Sequence, residues 1–390
     1  MPDTASPSVR DALAATVTHR EILQQPQVWR ETARIVRERR AELAAFLGPR
    51  LARPDLRIVL TGAGTSAFAG QIAAPALGAG LGRRVEAVAT TDLVSHPAAY
   101  LPGDVPTLLV SFARSGDSPE SAAATVLADR LVGDVGHLIV TCNPDGALAR
   151  VHAARPDSFV LLMPERSNDE GFAMTSSFTA MLLATLLVFR DEDDATADAV
   201  VEALAAGAEQ LIARQDRFAR LAADLPQRVV YLGGGPLTGL ARESALKLLE
   251  LTAGHVVAYF DSSLGFRHGP KAVLDGRSLA VVYRSADPYS AAYDDDIVGE
   301  LRAALGQDRV LTVSAGPGDG SEDGGCDSDG DWSLSGLAAL DDAYLAVVYV
   351  VFAQLFALNC SVSLGLTPDN PFPDGDVNRV VKGVTIHPLP

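Results

Sequence analysis

Residues Arg57–Gly82 read "RIVLTGAGTSAFAGQIAAPALGAGLG", and the reading of this stretch decides the fold. "RIVLT" is a short apolar run with two β-branched aliphatics, the composition of a buried strand. A glycine-rich turn follows, and then a helix candidate built mostly from small residues. The same order returns at "RVVYLGGGPLTGLARESALKLLELT" (Arg228–Thr252). There Pro236 suits a first helical turn, because its missing N–H has no intrahelical partner at that position.

Outward from these two units the alternation continues. Val85–Ala89, Thr107–Phe112, Leu138–Cys142 and Phe159–Met163 are further strand candidates, with helical stretches between several of them. "SLAVVYRS" and "RVLTVSAG" supply two more in the second half. Strands alternating with helices predict an α/β protein with mostly parallel sheets and covering helices. The expected plan is two similar α/β halves. A helical segment occupies 1–48, a first domain 49–205, a second domain 206–370 and a tail 371–390, with the boundary near Val200–Arg214.

The 390 residues are 48% hydrophobic and 21% charged, which is enough apolar material for such a core. The formal net charge of −17 argues against a nucleic-acid partner, which would need clustered Lys and Arg. It leaves room for an anionic small substrate, which a few local donors can hold. Cys142, Cys326 and Cys360 lie far apart and suggest neither a disulfide framework nor a zinc site. The first residues carry no apolar signal segment. "AYLAVVYVVFAQLFALNCSVSLGL" (Ala343–Leu366) has the length of a membrane span, but Gln354, Asn359, Ser361 and Ser363 interrupt it. It is expected to be a buried core or subunit-interface helix, with no membrane partner and a cytoplasmic location. "AGPGDGSEDGGCDSDGDW" (Ala315–Trp332) lacks the ligand spacing of a calcium loop and is expected to be an acidic surface loop.

Two loops could hold a phosphate. In "TGAGTSA", Gly62, Gly64 and Ala67 fit G-x-G-x-x-A, but neither Glu86 nor Asp92 is well placed as the ribose-binding acid of a dinucleotide site. Thr65 and Ser66 put two hydroxyls at a helix N-terminus, where backbone N–H groups and the helix dipole favour an anion. A plain tight turn with a capping hydroxyl accounts for the same residues. "SFARSGDSPES" (Ser111–Ser121) follows an apolar strand and gathers Arg114, Ser115 and Ser118 at its carboxyl end. These can wrap a phosphate monoester, or serve merely as the capped start of a helix.

With Leu237–Thr252 as a helix, Glu243, Lys247 and Glu250 fall on one stripe about 60° wide at 100° per residue. Leucine and alanine cover most of the remainder. The stripe reads either as a surface i,i+4 ion pair or as the polar lining of a cleft. Beyond it, "FRHGPK" places His268 beside Arg267 and Lys271.

"GTS" after the first strand, "RSGDSPES" after a later one, and "KLLELTAG…FRHGP" in the second half resemble the sugar isomerase (SIS) domain family. Within it the closer resemblance is to the agaS-type galactosamine-6-phosphate deaminases, long labelled tagatose-6-phosphate ketose/aldose isomerases. "GFAMTSSFTAMLLA", "FDSSLGFRHGPK" and the tail ending "HPLP" are similar to that group. The resemblance covers about residues 36–390. It implies two tandem SIS domains, each a mostly parallel sheet flanked by helices in a flavodoxin-like three-layer sandwich. Carried over from the isomerase half of glucosamine-6-phosphate synthase, it implies phosphate binding by Ser66, Ser115 and Ser118, with Thr65 and Arg114 adjacent. Ala113 and Arg114 stand where the synthase has a hydroxyl and an amide, so the phosphate shell must differ in detail. It further implies catalytic roles for Glu250, Lys247, His268 and Lys382. The chain has no counterpart of the synthase's glutaminase domain.

The chemistry suits these residue types. Moving a proton between C2 and C1 of a sugar needs a single base that collects and returns it, the role the resemblance gives Glu250. Ring opening suits a neutral imidazole, here His268. Lys247 and Lys382 can stabilise enolate-like charge. The expected activity is conversion of D-galactosamine 6-phosphate to D-tagatose 6-phosphate and ammonia, with no cofactor and no metal. Alternatives are an aldose–ketose isomerase without deamination, a sugar-phosphate sensor, and a nicotinamide-dependent oxidoreductase resting on the Gly62 loop alone. The resemblance also implies a homodimer or a dimer of dimers, with His268 reaching a neighbouring subunit's site.

Overall fold

A computed structural model describes residues 9–316, 330–381 and 383–389 of the chain. Four helices come first: α1 (Val9–Ala14), α2 (Val17–Leu23), α3 (Gln25–Glu38) and α4 (Arg40–Leu51). The first half then runs β1 (Arg57–Thr61), α5 (Thr65–Leu81), β2 (Val85–Ala87), α6 (Thr90–Ser95), α7 (Pro97–Tyr100), β3 (Thr107–Ala113), α8 (Pro119–Leu131), β4 (Val135–Thr141), α9 (Ala147–His152), β5 (Ser158–Leu162) and α10 (Ser176–Arg190). α11 (Asp194–Ala213) and α12 (Gln215–Ala223) lead to the second half. This consists of β6 (Arg228–Leu232), α13 (Pro236–Leu251), β7 (Val257–Asp261), β8 (Ser278–Tyr283), α14 (Pro288–Leu305), β9 (Val310–Ala315), β10 (Asp331–Leu334) and α15 (Asp342–Ser363).

Two five-stranded sheets result, ordered β2-β1-β3-β4-β5 and β7-β6-β8-β9-β10, and every pairing is parallel. Parallel strands need crossovers, so helices cover both faces and the strands are apolar on both sides. The period of two is visible in β1. Ile58 and Leu60 join the large central core, while Val59 points the other way, into a smaller cluster with Leu93, Leu109 and Ala124. In β6, Val229 and Tyr231 face the centre, and Val230 and Leu232 face Ile297 and Leu301 on α14.

The two halves meet through helices. α13 packs against both α5 and α15. Its approach to α5 is close because residue 239 is glycine: a Cβ there would lie 2.8 Å from Ile72 Cγ1 and 3.0 Å from the Ile72 nitrogen. α15 is long and apolar enough to cross a membrane, and it alone is so among the described helices, but it is buried inside the molecule. Two of the polar residues that interrupt it are hydrogen-bonded. Gln354 accepts from Gln25 Nε2 at 2.7 Å, and Asn359 Nδ2 donates to the Leu355 carbonyl at 2.8 Å.

Two sequence expectations need correction. β7 and β10 were not among the strand candidates. β7 is a half-exposed edge strand, and β10 is only four residues long and carries Asp331 and Ser333. The acidic stretch Ala315–Trp332 is not a surface loop at its ends. Ala315 closes β9, Asp331 bonds Arg302 and the Thr312 hydroxyl, and Trp332 is fully buried against Phe218 and Phe352. Residues 317–329, with Cys326, lie outside the described residues. The expected boundary near Val200–Arg214 falls mostly on the continuous helix α11, which packs on α3 and α15.

Candidate active site

The β1–α5 turn is held by Gly64, the helix N-cap, at φ 55° and ψ −127°. A residue with a Cβ is strained at that positive φ. The Ser66 and Ala67 nitrogens close this turn on the Ala63 and Gly64 carbonyls at 3.1 and 2.9 Å. Thr65 and Ser66 occupy the first turn itself, and both are buried. The strand order reverses between β1 and β3, which is where open α/β sheets bind ligands.

The β3–α8 turn lies at that reversal. Ser118 is the N-cap of α8 but makes no side-chain cap bond; its hydroxyl donates to Glu120 at 2.8 Å. Ser115 is braced from the next loop, where Asn143 Nδ2 donates to its carbonyl at 2.9 Å. The Arg114 guanidinium is buried and donates to the carbonyls of Phe172 at 3.4 Å and Arg379 at 2.8 Å. Burial and the nearby Arg379 lower its pKa, while Asp169 and Glu250 oppose them. Arg379 in turn donates to the carbonyls of Gly171 (3.0 Å) and Asp169. The tail is thereby tied across the loop that precedes α10.

That loop is organised by Asp169, which the sequence reading did not single out. Its carboxylate accepts from the backbone nitrogens of Thr175, Ser176 and Ser177 at 2.7, 3.1 and 2.9 Å, and from the hydroxyls of Thr175 and Ser177. An acid six residues ahead of a Thr-Ser-Ser run was the available signal for a helix cap.

The stripe on α13 is buried for the most part and is not a surface face. Glu243 and Lys247 are fully buried, and Glu250 is 24% open at its side chain. Lys247 pairs with Glu250 and lies 3.5 Å from Glu243 Oε1. Burial pushes Glu243 up to about 8, with Lys247 opposing and Glu250 adding. Burial works against the Lys247 charge, but Glu243 and Glu250 outweigh it and raise its pKa. The helix that carries these groups packs directly on α5, whose first turn holds Thr65 and Ser66. The Arg242 guanidinium lies over the Phe68 ring, 4.7 Å from its centroid, which further fixes α13 on α5. Glu243 is a site residue that the sequence reading placed on the stripe without giving it a role.

The structure therefore brings Thr65, Ser66, Arg114, Lys247 and Glu250 into one neighbourhood, with Ser115 and Ser118 on the adjoining turn. It does not bring His268 there. The His268 loop is anchored by buried Phe266 and by Arg267 and Lys271, which both pair with Glu300. The imidazole is exposed and has no side-chain partner among the described residues. Lys382 lies outside the described residues. Among the described residues no group of three His, Cys, Asp or Glu is arranged to hold a metal.

Residues 50–190 match the model of the SIS domain. A Streptomyces coelicolor protein provisionally named D-galactosamine-6-phosphate deaminase AgaS is 59% identical over 379 residues, 96% of each chain. The D-galactosamine-6-phosphate deaminase AgaS of a Shewanella species is 43% identical over 95% of this chain and 92% of its own. Among solved structures, a Clostridium novyi protein provisionally described as a tagatose-6-phosphate ketose/aldose isomerase superposes with a TM-score of 0.90. It is 43% identical, over 97% of this chain and 98% of that one. The serine-bearing turns and the charged helix stripe thus stand in a chain that belongs to the SIS-domain family and, within it, to the AgaS group.

Proposed function

We propose that the protein converts D-galactosamine 6-phosphate and water to D-tagatose 6-phosphate and ammonia. The observation that carries this reading is the packing of two halves on each other: α5, which begins with Thr65 and Ser66, lies against α13, which carries the buried Glu243–Lys247–Glu250 stripe. The AgaS names of its relatives support the choice of substrate.

Backbone N–H groups at the start of α5, with Thr65, Ser66, Ser115 and Ser118, hold the phosphate. Arg114 closes the floor of the pocket through its bonds to the Phe172 and Arg379 carbonyls. Once the sugar ring is open, Glu250 removes the proton from C2 and returns it to C1. The C2 amine becomes a ketimine, water adds at C2, and ammonia leaves to give the ketone. Lys247 stabilises the negative charge that develops at O1. Lys382 belongs to the same site through the tail, and His268 opens the ring from a neighbouring subunit in a homodimer or a dimer of dimers.

The domain plan that accompanies this reading has two SIS domains, 49–205 and 206–370, each a three-layer sandwich, with α11 running between them. Residues 1–48 form a helical segment and 371–390 a tail. The enzyme acts in the cytoplasm, where sugar phosphates are made and consumed. The test is ammonia release from galactosamine, glucosamine and N-acetylgalactosamine 6-phosphates. Release that is fastest from galactosamine 6-phosphate is expected. Interconversion of tagatose 6-phosphate with an aldose, without any ammonia, would make the protein a plain isomerase.

A further inference from the structure

The Lys247 ammonium stands between two carboxylates of its own helix. It pairs with Glu250 and lies 3.5 Å from Glu243 Oε1. Glu250 is partly open, whereas Glu243 and Lys247 are closed off completely. Neither oxygen of Glu243 has a hydrogen-bond partner among the described residues. A buried carboxyl without donors is costly to a fold. Packing does not require one here. Gly64 and Gly235 hold the turns before α5 and α13 at nearly the same angles, φ 55° and 53°, ψ −127° and −125°. Eight residues beyond each glycine stand Ile72 on α5 and Glu243 on α13, and Ile72 is fully buried. The equivalent helix thus fills the same place with an aliphatic side chain. A carboxyl kept where the fold gains nothing from it points to the chemistry of its neighbours.

The charges around this pair come from several elements. On α13 they are Glu250 and the two partners themselves, while Arg242 is turned to the Phe68 and Phe260 rings. α5 brings no ionisable side chain. β8 brings Tyr283, whose hydroxyl lies 2.7 Å from that of Ser244 and which burial keeps neutral, and the β3–α8 turn brings Arg114. Tyr231 of β6 and Tyr349 and Cys360 of α15 are likewise held neutral by burial. Asp261 of β7 accepts from the Ser262 nitrogen, and Asp342 of α15 from Ser285 and the Ala286 nitrogen. Burial keeps Glu243 protonated up to about 8, against Lys247 and with the help of Glu250; above that pH it is ionised.

We propose that Glu243 is a positioning residue for the base, acting on Glu250 through the ammonium of Lys247 that the two carboxyls share. Ionised, Glu243 draws the ammonium away from Glu250 and leaves that carboxylate freer to take the proton from C2. Protonated, it leaves the ammonium to Glu250, and the base is weaker. The inference rests on Glu250 being the base of the reaction proposed above. An indirect effect is a fraction of the roughly 10²–10⁴-fold that a base itself supplies, so about three- to tenfold is expected.

Ammonia release by the full chain from saturating galactosamine 6-phosphate, followed from pH 6 to pH 9.5, tests this with Glu243→Gln, Glu243→Met and Glu243→Asp beside the parent. The ratio of the Gln variant's kcat to the parent's should fall by about three- to tenfold as pH rises, with the midpoint near the pH of about 8 at which Glu243 ionises, and KM should change little. Ionisations of the substrate are common to both proteins and cancel in the ratio. Met, neutral and of similar size, should reproduce the Gln profile and carries the same comparison if Gln does not fold. Asp keeps a carboxyl and should restore part of the alkaline gain. A ratio that is lowered but constant across the range would make Glu243 structural and overturn the proposal, as would a parental kcat at every pH. A parent that releases no ammonia, or a Glu250→Gln variant with near-parental turnover, would overturn the reading of the site and this inference with it. An inactive Glu250→Gln beside a constant ratio at position 243 would overturn this inference alone.

Discussion

Glu250→Gln preserves the size of the side chain and one hydrogen bond to Lys247 but removes the base. Turnover is expected to fall by about 10²–10⁴-fold while sugar-phosphate binding persists. Steady-state kinetics beside a binding titration decides it, and turnover within a few-fold of the parent would remove Glu250 from the role. Ser115→Ala should act on KM first. A lost hydrogen bond to a charged acceptor is worth about 1.5–3 kcal/mol, or roughly ten- to a hundredfold. A different carboxyl governs stability. Glu21 accepts from the Glu170 nitrogen at 2.5 Å and the Gly171 nitrogen at 3.2 Å, next to the loop that Arg379 and Arg114 also hold. Burial and Asp169 push it up to about 7, against those two N–H groups, and Asp369 adds to the rise. A carboxyl raised in the folded state contributes stability that is fully present below its unfolded value and is lost as pH rises through about 7. Urea unfolding at pH 5.5 and pH 8 should show Glu21→Gln with a flatter dependence than the parent, by up to about 1.4 kcal/mol per pH unit. Equal slopes would assign the titration to other groups.

At the level of elements, the α5–α13 contact carries the site, and Gly239 sets its closeness. Gly239→Val places atoms against the Ile72 backbone, which cannot rotate away. Overpacking of this kind costs about 1–3 kcal/mol, and a lower denaturation midpoint together with a raised KM is the expected pair of effects. An unchanged KM would mean that α13 and the phosphate turn are not coupled through this contact. The same elements show what a sequence can tell. β1, β3, β6 and β8 were legible because strands buried on both faces are continuously apolar. α13 was legible because leucine and alanine surround a narrow charged stripe. β7 was hidden because an edge strand needs no such run, and β10 because it is four residues long and its one large apolar anchor, Trp332, packs on residues distant in sequence. Asp169 escaped notice because its importance lies in five hydrogen bonds to a turn that only the folded chain creates. Glu243 was visible as one more charge on the stripe. Its burial, and hence its shifted protonation, depends on α5 lying against it.

At the scale of the whole molecule, His268 is the test of assembly. Glu250→Gln and His268→Ala chains, each inactive alone, should regain about a quarter to a half of wild-type activity when mixed under conditions of subunit exchange, if sites are shared across a two-fold interface. Confirmed exchange without recovery would return His268 to its own chain. A further consequence comes from Asp369, whose carboxylate accepts from the backbone of Val17 and Thr18 at 2.8 Å each, across 352 and 351 residues of sequence. Together with Arg379 on the Asp169 loop, it means that the first helices and the loop before α10 are completed by segments far later in the sequence. The amino-terminal half by itself would lack the Asp369 acceptor for the Val17 and Thr18 nitrogens and the Arg379 bonds to the Asp169 loop, so it is expected not to reach its final structure alone. Contacts this far apart in sequence must repay a large loop-closure entropy, which makes late, concerted maturation the expected kinetic signature of this enzyme.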